Sequence, residues 1–468
     1  MSLKDILADK KKLPLIIAGA VALLLFIIMV VLLLMKKQKS NVVQPGPVNN
    51  TETTSPAPTP PTSGTSKTLT YWGLWESAET MQPIIDEFEE ANPGVKINYS
   101  KQSLSNYESR IYTRLQQTVS TSEPAPDIFK IHNTWLPKYY KYLAPLPSSI
   151  MSREDYAEKF YPTSLADFTA KDGKIYAIPL GIDGLMVYYN KQILKKANIQ
   201  KPPSDWDSFV KLAHDLTIRD ENKRIIQSGL AMGVSRNIKH SSEIIAYLLL
   251  LEGAELMDET RTSISLNNSK AVSAFETYTS FARGQNGTWD TSLPQDLEMF
   301  FQGKLAMMIA PSWRVFDIII AAPNIEFGTT PLPQLEANKE EVYYATYWGE
   351  AVSKNAGNTE LAWKFIDFMT QKEQQLKMFS NSVSIGQRAF GEPYSIAELG
   401  DEMKGKAYID AIAKMAPYMR SWQWGDENFV RASIEDAISE IAERNRDVTS
   451  TLKKTETTIN SKLAETNK

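Results

Sequence analysis

The sequence contains no cysteine among its 468 residues. This absence excludes disulfide bonds, thiolate metal sites, cysteine nucleophiles and a lipid-modified N-terminal cysteine. Histidine is also scarce: His132, His214 and His240 are far apart, and none has a second histidine three or four positions along the chain. We therefore expect no metal site, and no motif indicates any other cofactor.

The chain also lacks an excess of charge of one sign, since its net charge is −4 and both signs are mixed throughout. A nucleic-acid partner is therefore not expected. Aromatic residues are plentiful, with 10 tryptophans and 20 tyrosines, and several fall in predicted loops. That placement is typical of a surface that stacks on ligands.

An apolar run without charge extends from Leu13 to Met35, long enough to cross a bilayer core. A cleaved signal peptide is the alternative, but the length of the run and the Lys36-Lys37 pair that follows it favour an uncleaved anchor. Residues 1–12 would then form a short cytoplasmic N-terminus and residues 13–35 a single transmembrane anchor. Residues 36–67, rich in proline, threonine and serine, have too little to bury and are predicted to be a linker.

After the linker the apolar pattern predicts strand, helix, strand, helix and strand, in the ranges Leu69 to Trp72, Met81 to Phe88, Val95 to Tyr99, Leu104 to Val119 and Asp127 to Ile131. This order predicts a parallel sheet whose ligand crevice lies at the carboxyl ends of its strands. The residues that follow the first and third strands, and are therefore expected at the crevice, are Trp75, Glu76, Asn133 and Trp135.

The segment from Lys171 to Asn190 contains two strand-like runs separated by a break. Asp172-Gly173 tolerates two successive positive φ angles, Pro179 prevents an ordinary central strand, and the apolar run resumes at Leu185. The segment fits a hinge crossing between two domains, and it fits equally a β-hairpin with a kinked arm inside one domain.

Several segments, in the order LTYWGLW, PAPDIFKIHNTWL, DGKIYAIPL, FFQGKLAMMIAPSW and AVSKNAGNTELAWKFIDFMT, resemble the family 1 extracellular solute-binding proteins. These maltose-binding-protein-like proteins are receptors of carbohydrate-importing ABC transporters. The resemblance implies an α/β, two-lobed periplasmic-binding-protein-like fold with hinge crossings, here preceded by the transmembrane helix. It also implies an extracellular C-terminal part, a sugar or oligosaccharide ligand, and the permease subunits as partners.

On this resemblance the N-lobe comprises residues 68–178 and 331–378, and the C-lobe residues 184–328 and 385–468. Lys171 to Asn190 would be the first crossing, Phe327 to Pro333 the second, and Phe379 to Gly386 the third. Thr449 to Lys468 is predicted to be a polar, frayed helical tail.

A sugar site needs flat aromatic rings for stacking and polar groups for the hydroxyls. Trp313, in APSW, matches the family's stacking tryptophan, and Asp183 could accept sugar hydroxyls or close an Asx turn on Gly184. Arg314 and Arg388 could lie at the rim or form ordinary ion pairs. The complete predicted set is Trp75, Glu76, Asn133, Trp135, Asp183, Trp313, Trp348, Glu350, Trp422 and Trp424.

The leading function is a non-enzymatic receptor that captures a sugar by hinge closure. The alternatives are a glycan-active enzyme that uses two carboxylates, a ligand sensor or adhesin, and the same transport role with a non-sugar solute such as a polyamine or a glycerol phosphodiester. No nucleophile, metal or phosphate motif in the crevice segments supports the enzyme.

Overall fold

Two separate β-sheets contain most of the strands. The computed structural model describes residues 67–117, 124–257, 263–284, 286–336, 340–386 and 388–466. The predicted anchor and linker lie outside these ranges, apart from Lys67. Within them, no helix combines the length and the apolar character that a membrane crossing requires.

In chain order, the strands are β1 (Thr68–Gly73), β2 (Lys96–Lys101), β3 (Ile128–His132), β4 (Leu143–Ala144), β5 (Ala177–Pro179), β6 (Leu185–Asn190), β7 (Ile218–Arg219), β8 (Ile225–Leu230), β9 (Leu305–Pro311), β10 (Phe327–Thr330), β11 (Tyr343–Tyr344), β12 (Trp348–Ser353) and β13 (Met419–Arg420).

The α-helices are α1 (Ala78–Ala91), α2 (Tyr107–Gln116), α3 (Leu136–Tyr139), α4 (Arg153–Lys159), α5 (Pro162–Phe168), α6 (Lys191–Lys196), α7 (Trp206–Asp215), α8 (Ser241–Leu251), α9 (Ser269–Ser280), α10 (Asp296–Phe301), α11 (Arg314–Ala321), α12 (Thr359–Met369), α13 (Lys372–Ser384), α14 (Asp410–Met415), α15 (Glu427–Ala442) and α16 (Val448–Thr466). Short 3₁₀ helices span Tyr140–Tyr142, Ala397–Met403 and Ala416–Tyr418.

The first sheet has the strand order β2-β1-β3-β12-β4, and β5 also pairs with β12. The predicted parallel start is confirmed, because β1 runs parallel to both β2 and β3. Helix α2 begins later than predicted: Asn106 has a φ of 55°, and Leu104 is exposed before it. The predicted end of this helix at Val119 lies outside the described residues.

The second sheet has the strand order β10-β6-β9-β8-β7. Its strands β6 and β9 are almost entirely buried, as expected for strands covered by helices on both faces. We call the first sheet with its helices the first lobe and the second sheet with its helices the second lobe. The two-lobed α/β architecture predicted from the sequence is thus present.

The chain passes from the first sheet to the second between Pro179, which ends β5, and Leu185, which begins β6. Of the two alternatives for this segment, the structure therefore has the crossing. The tight turn before β5 has a positive φ at Gly173 alone, because the Asp172 carboxylate stabilises the turn by accepting a hydrogen bond from the Lys174 N–H at 3.1 Å. Asp172, which could also have adopted a positive φ, does not.

The third passage comes later than Phe379 to Gly386, and that prediction is wrong. Helix α13 occupies residues up to Ser384 and packs on α1 of the first lobe, where Asn381 Nδ2 donates to the Thr80 carbonyl at 3.3 Å. The chain returns beside the first crossing only at Pro393, whose carbonyl accepts from the Ile182 N–H at 2.9 Å.

The last helix is a packed element, so the prediction of a frayed tail is wrong. Helix α16 buries Leu452, Ile459 and Leu463 against α15 and its neighbours. Its polar residues are also engaged: Glu456 accepts from two backbone N–H groups of the 266–267 loop, and Asn460 forms two hydrogen bonds with the backbone of Ile264.

Candidate ligand-binding site

Two cross-strand pairs build the first-lobe side of the site. Strands β3 and β12 are antiparallel, with His132 opposite Trp348 and Lys130 opposite Glu350. Because residues two apart share a face, these four side chains project from the same side of the sheet. The Lys130 ammonium lies 2.7 Å from Glu350 Oε1 and 3.4 Å from Glu76 Oε1, and all three side chains are buried.

This buried triad places one cation between two carboxylates. Burial raises the pKa of Glu350, and Lys130 offsets the rise only in part. Burial also disfavours ionisation of Glu76, but Lys130 and a backbone N–H outweigh it, and the pKa of Glu76 is lowered. Loss of the Lys130 charge would leave two uncompensated carboxyl groups below the site, so this lysine is needed for the fold.

An aromatic cluster lies above the triad, and Trp348 is at its centre. The Trp348 ring centroid is 5.1 Å from that of Trp135, 5.2 Å from His132 and 5.8 Å from Trp75, all with edge-on geometry. Trp135 stacks on Tyr139 and is buried, whereas Trp75 and Trp348 remain partly exposed. These two indoles are the rings that this lobe can offer to a ligand.

The second lobe contributes Trp313, between the end of β9 and the start of α11. Its indole is 36% exposed, an unusually open position for a tryptophan, and it contacts the His240 ring edge-on at 6.1 Å. A planar apolar ring that is free on one side can stack on the C–H face of a sugar.

Asp183 lies in the first crossing and connects it to the end of β9. Its Oδ1 accepts from the Gly184 N–H at 2.7 Å, and its Oδ2 accepts from the Ser312 hydroxyl at 2.6 Å. Burial raises the pKa of Asp183 to about 7, with a smaller contribution from the negative charge of Glu392. The hydrogen bond goes to the N–H of the next residue, whereas an Asx turn reaches the residue two positions on, so the predicted Asx turn is not observed. A role toward a ligand remains a prediction.

A polar network that sequence reasoning missed connects the two lobes. Glu427, the first residue of α15, accepts at Oε2 from the Thr134 hydroxyl at 2.8 Å and from the Trp135 indole N–H at 2.6 Å. The same oxygen lies 3.3 Å from His132 Nδ1, and Arg431 donates to Oε1 of Glu427 at 2.7 Å.

The network continues along the second lobe to Glu243, near the start of α8. Glu243 pairs with His240, lies 3.6 Å from Arg431 and accepts from the Thr346 hydroxyl at 3.3 Å. Thr346 in turn lies 3.1 Å from His132 Nε2. Burial opposes ionisation of Glu243, but His240 and Arg431 outweigh it and lower its pKa to about 2. The pKa of Glu427 is also lowered, because His132 and Arg431 outweigh its burial.

Three other predicted residues are less suited to meet a ligand: the side chain of Asn133 is engaged by other residues, and Trp422 and Trp424 lie apart from the aromatic cluster. Asn133 is fully buried: its amide donates to Asp167 and to the Ala345 carbonyl, and its oxygen accepts from the Tyr347 N–H. Trp424 is buried and Trp422 is partly exposed, and both line a small apolar cavity with residues of α15 and α16.

The two candidate rim arginines both have partners. Arg314 donates to Asp317 at 2.7 Å and to His240 at 3.2 Å. Arg388 donates to Glu392 at 2.8 Å, and its guanidinium carbon lies 4.6 Å from the centroid of the Phe316 ring. Within the described ranges, no group of three carboxylate or imidazole side chains has the arrangement of a metal site.

Solved structures of sugar receptors share this architecture. A cyclo/maltodextrin-binding protein complexed with maltotetraose matches with a TM-score of 0.68 at 18% identity, over 85% of this chain and 97% of that chain. The maltose-binding protein MalE of Listeria monocytogenes, complexed with maltose, matches with the same TM-score and identity, over 85% and 98% of the two chains.

The sequence is similar to curated receptors as well. It is 26% identical over 361 residues to the diacetylchitobiose-binding protein DasA of Streptomyces coelicolor, covering 75% of this chain and 78% of that protein. It is 30% identical over 208 residues to the maltodextrin-binding protein MdxE of Bacillus subtilis, covering 42% and 46%. The family model of the bacterial extracellular solute-binding proteins matches residues 72–376. This chain therefore belongs to the bacterial extracellular solute-binding protein family.

Proposed function

We propose that the protein captures a neutral sugar or short oligosaccharide between its two lobes and delivers it to the permease of an ABC importer. The observation that carries this proposal is the set of partly exposed indoles, Trp75, Trp348 and Trp313, beside fixed carboxylates and arginines. The relatives named for binding diacetylchitobiose and maltodextrin support a glycan as the ligand.

The charge arrangement favours a neutral solute. Each of the four cations at the site, Lys130, Arg314, Arg388 and Arg431, already has a carboxylate partner. A phosphate or carboxylate on the solute would have to compete with these pairs, so a glycerol phosphodiester fits poorly. Glu243 and Glu427 are likewise engaged, which argues against a polyamine.

Binding would shift the lobes toward a closed state, because only that state contacts the ligand from both sides. The crossings between the lobes would take up the rotation. The lobe limits at 68–178 and from 331 onward for the first lobe, and at 184–328 for the second, are part of this proposal. So are the anchor at 13–35, the linker at 36–67, the cytoplasmic residues 1–12 and the single-pass location with the lobes outside the cell. The limits at 378 and 385 are not part of it, because α13 packs on the first lobe as far as Ser384.

We also propose that the solute is released unaltered. A glycosidase needs one protonated carboxyl group beside a second, ionised one. The lowered pKa values of Glu243 and Glu427 keep both ionised near neutral pH, and both oxygens of Asp183 are in hydrogen bonds to Gly184 and Ser312. Glu350 and Glu76 have pKa values shifted in opposite directions, but both are buried with the Lys130 ammonium between them, so neither is placed to meet a glycosidic bond. Incubation with oligosaccharides followed by chromatography would reveal a shortened product if this proposal were wrong.

The direct test is titration calorimetry of the full chain in detergent against maltodextrins, diacetylchitobiose, spermidine and a glycerol phosphodiester. Saturable binding of a glycan, with no binding of the two charged solutes, is the expected result. Binding of spermidine or the glycerol phosphodiester, without binding of a glycan, would refute the proposed ligand class.

Trp313 offers a residue-level test of the same proposal. Replacing it with Ala should weaken glycan binding by about 1 kcal/mol or more, because a stacking surface is lost, and Trp313→Phe should recover part of this loss. The matched control is Ile320→Ala, which removes an 81% exposed apolar side chain from α11, the helix that begins directly after Trp313. Unchanged affinity of Trp313→Ala would remove Trp313 from the site.

A further inference from the structure

Helix α15 belongs to the second lobe. It packs on α8, α9 and α16, the Arg283 guanidinium donates to the Ile441 carbonyl at 2.8 Å, and the Ser235 hydroxyl donates to the Glu435 carbonyl at 2.9 Å. These contacts hold the body of the helix against its own lobe.

The first two residues of this helix contact the other lobe. Glu427 accepts from Thr134 and Trp135 and lies beside His132, all of which follow or end strand β3 of the first sheet. Asn428 Nδ2 donates to Glu108 Oε2 on α2 at 2.6 Å. Two adjacent side chains thus connect the N-terminus of α15 to the end of β3 and to α2 of the first lobe.

The cross-lobe bonds differ in one respect from the bond between Glu427 and Arg431. Arg431 is four residues further along α15, so it stays beside the carboxylate whether the lobes are together or apart. The donors Thr134 and Trp135, in contrast, are lost when the lobes separate. Arg431 therefore stabilises the Glu427 carboxylate in both the open and the closed state. The hydrogen bonds from Thr134 and Trp135 stabilise the closed state alone.

We propose that Glu427 is a positioning residue that holds the two lobes together and so sets the balance between closed and open states. The proposal rests on the hinge closure proposed above. Because these bonds connect protein to protein, they bias the balance for every solute that the cleft accepts. Loss of Glu427 lowers the closed fraction, and the apparent affinity falls with that fraction.

The first test measures the distance between the lobes and needs no solute. The natural absence of cysteine allows two spin labels to be attached only where wanted, at Ser105→Cys in the first lobe and Thr291→Cys in the second, both exposed positions. Double electron–electron resonance measures the distance between the two labels. In the doubly labelled full chain, Glu427→Ala should add a population whose distance corresponds to open lobes. The matched control is Glu440→Ala, which removes from the same helix a carboxylate that pairs with Arg444 and Arg446.

Two outcomes would overturn the proposal. The first is a distance distribution of Glu427→Ala equal to that of the unaltered chain, and the second is an equal change in Glu440→Ala. If Glu427→Ala fails to fold, Trp135→Phe keeps an aromatic ring beside Tyr139 but lacks the indole N–H that donates to Glu427, so it should give the same change to a smaller extent.

The second test measures affinity for the glycan that binds the unaltered chain. Glu427→Ala should raise Kd by about tenfold, mainly through faster dissociation. In the double variant of Glu427→Ala and Trp135→Phe, the loss of binding free energy should be smaller than the sum of the two single losses, since both changes remove the same hydrogen bond. If no glycan binds the unaltered chain, the proposed function fails, while the distance measurement still decides whether Glu427 holds the lobes together.

Discussion

For Asp183 the sequence left two roles open, a contact with sugar hydroxyls and the closure of a turn. Its burial has a further consequence, which concerns how the stability of the protein depends on pH. Its carboxylate accepts from the N–H of the adjacent Gly184 and connects the first crossing to Ser312. Burial raises its pKa to about 7, above the value of about 3.9 expected in the unfolded chain. Between these two values the folded protein binds more protons at this site than the unfolded chain.

Asp183 should therefore make the protein less stable as the pH rises. The contribution of Asp183 to the free energy of unfolding is constant below about pH 4 and decreases between about pH 4 and about pH 7. It is constant again above that, and the total loss is at most about 4 kcal/mol. Asp183→Asn cannot ionise, so its melting temperature should decline less between pH 4.5 and pH 8. Thermal melts across that range test this, with the exposed Asp207→Asn as control. Parallel curves for Asp183→Asn and the unaltered chain would contradict the prediction.

The predictable site residues were those at, or just beyond, the ends of strands. Trp75, Trp313 and Trp348 stand at strand ends, and an apolar run that stops at an aromatic residue is visible in the sequence. Glu243 and Glu427 lie instead in the first turns of α8 and α15. An acidic residue there is fully explained by the dipole of its own helix, so the sequence offered no sign of a second role.

At the scale of elements, helices with a regular apolar stripe were predictable and those with buried polar residues were not. Helix α13 buries Gln374, Gln375 and Ser382, so its pattern contains little hydrophobic periodicity and the crossing was placed too early. The sequence of helix α16 likewise lacks a regular apolar stripe and so predicts a frayed tail, because Glu456 and Asn460 form hydrogen bonds with the backbone of another loop.

Helix α16 should contribute to the stability of the second lobe. Leu452 is completely buried, so Leu452→Ala should lower the free energy of unfolding by about 2–4 kcal/mol through lost burial and the cavity that remains. The neighbouring Lys453→Ala removes an exposed side chain and should change it by less than about 0.5 kcal/mol. Urea denaturation measures both, and equal effects of the two variants would mean that α16 is not packed as described.

At the scale of the whole molecule, the order of the family segments predicted two lobes, but no local pattern predicts which side chains meet across them. Trp135 and Glu427 are 292 positions apart, and their contact depends on how the two lobes are placed. The site is thus a property of the complete fold: its rings and carboxylates lie on or just after β1, β3, β9, β12, α8 and α15, and in the first crossing.

A ligand held between the lobes should protect both of them at once. Hydrogen–deuterium exchange of the full chain with saturating glycan should slow in peptides covering 131–135 and 345–350 of the first lobe, and in 312–316 and 427–431 of the second, because closure lowers local opening on each side. Peptides of the outer helix α1 serve as the control and should not change. Protection confined to one lobe would show that the solute binds to one surface without closure, and the proposed mechanism of capture would be wrong.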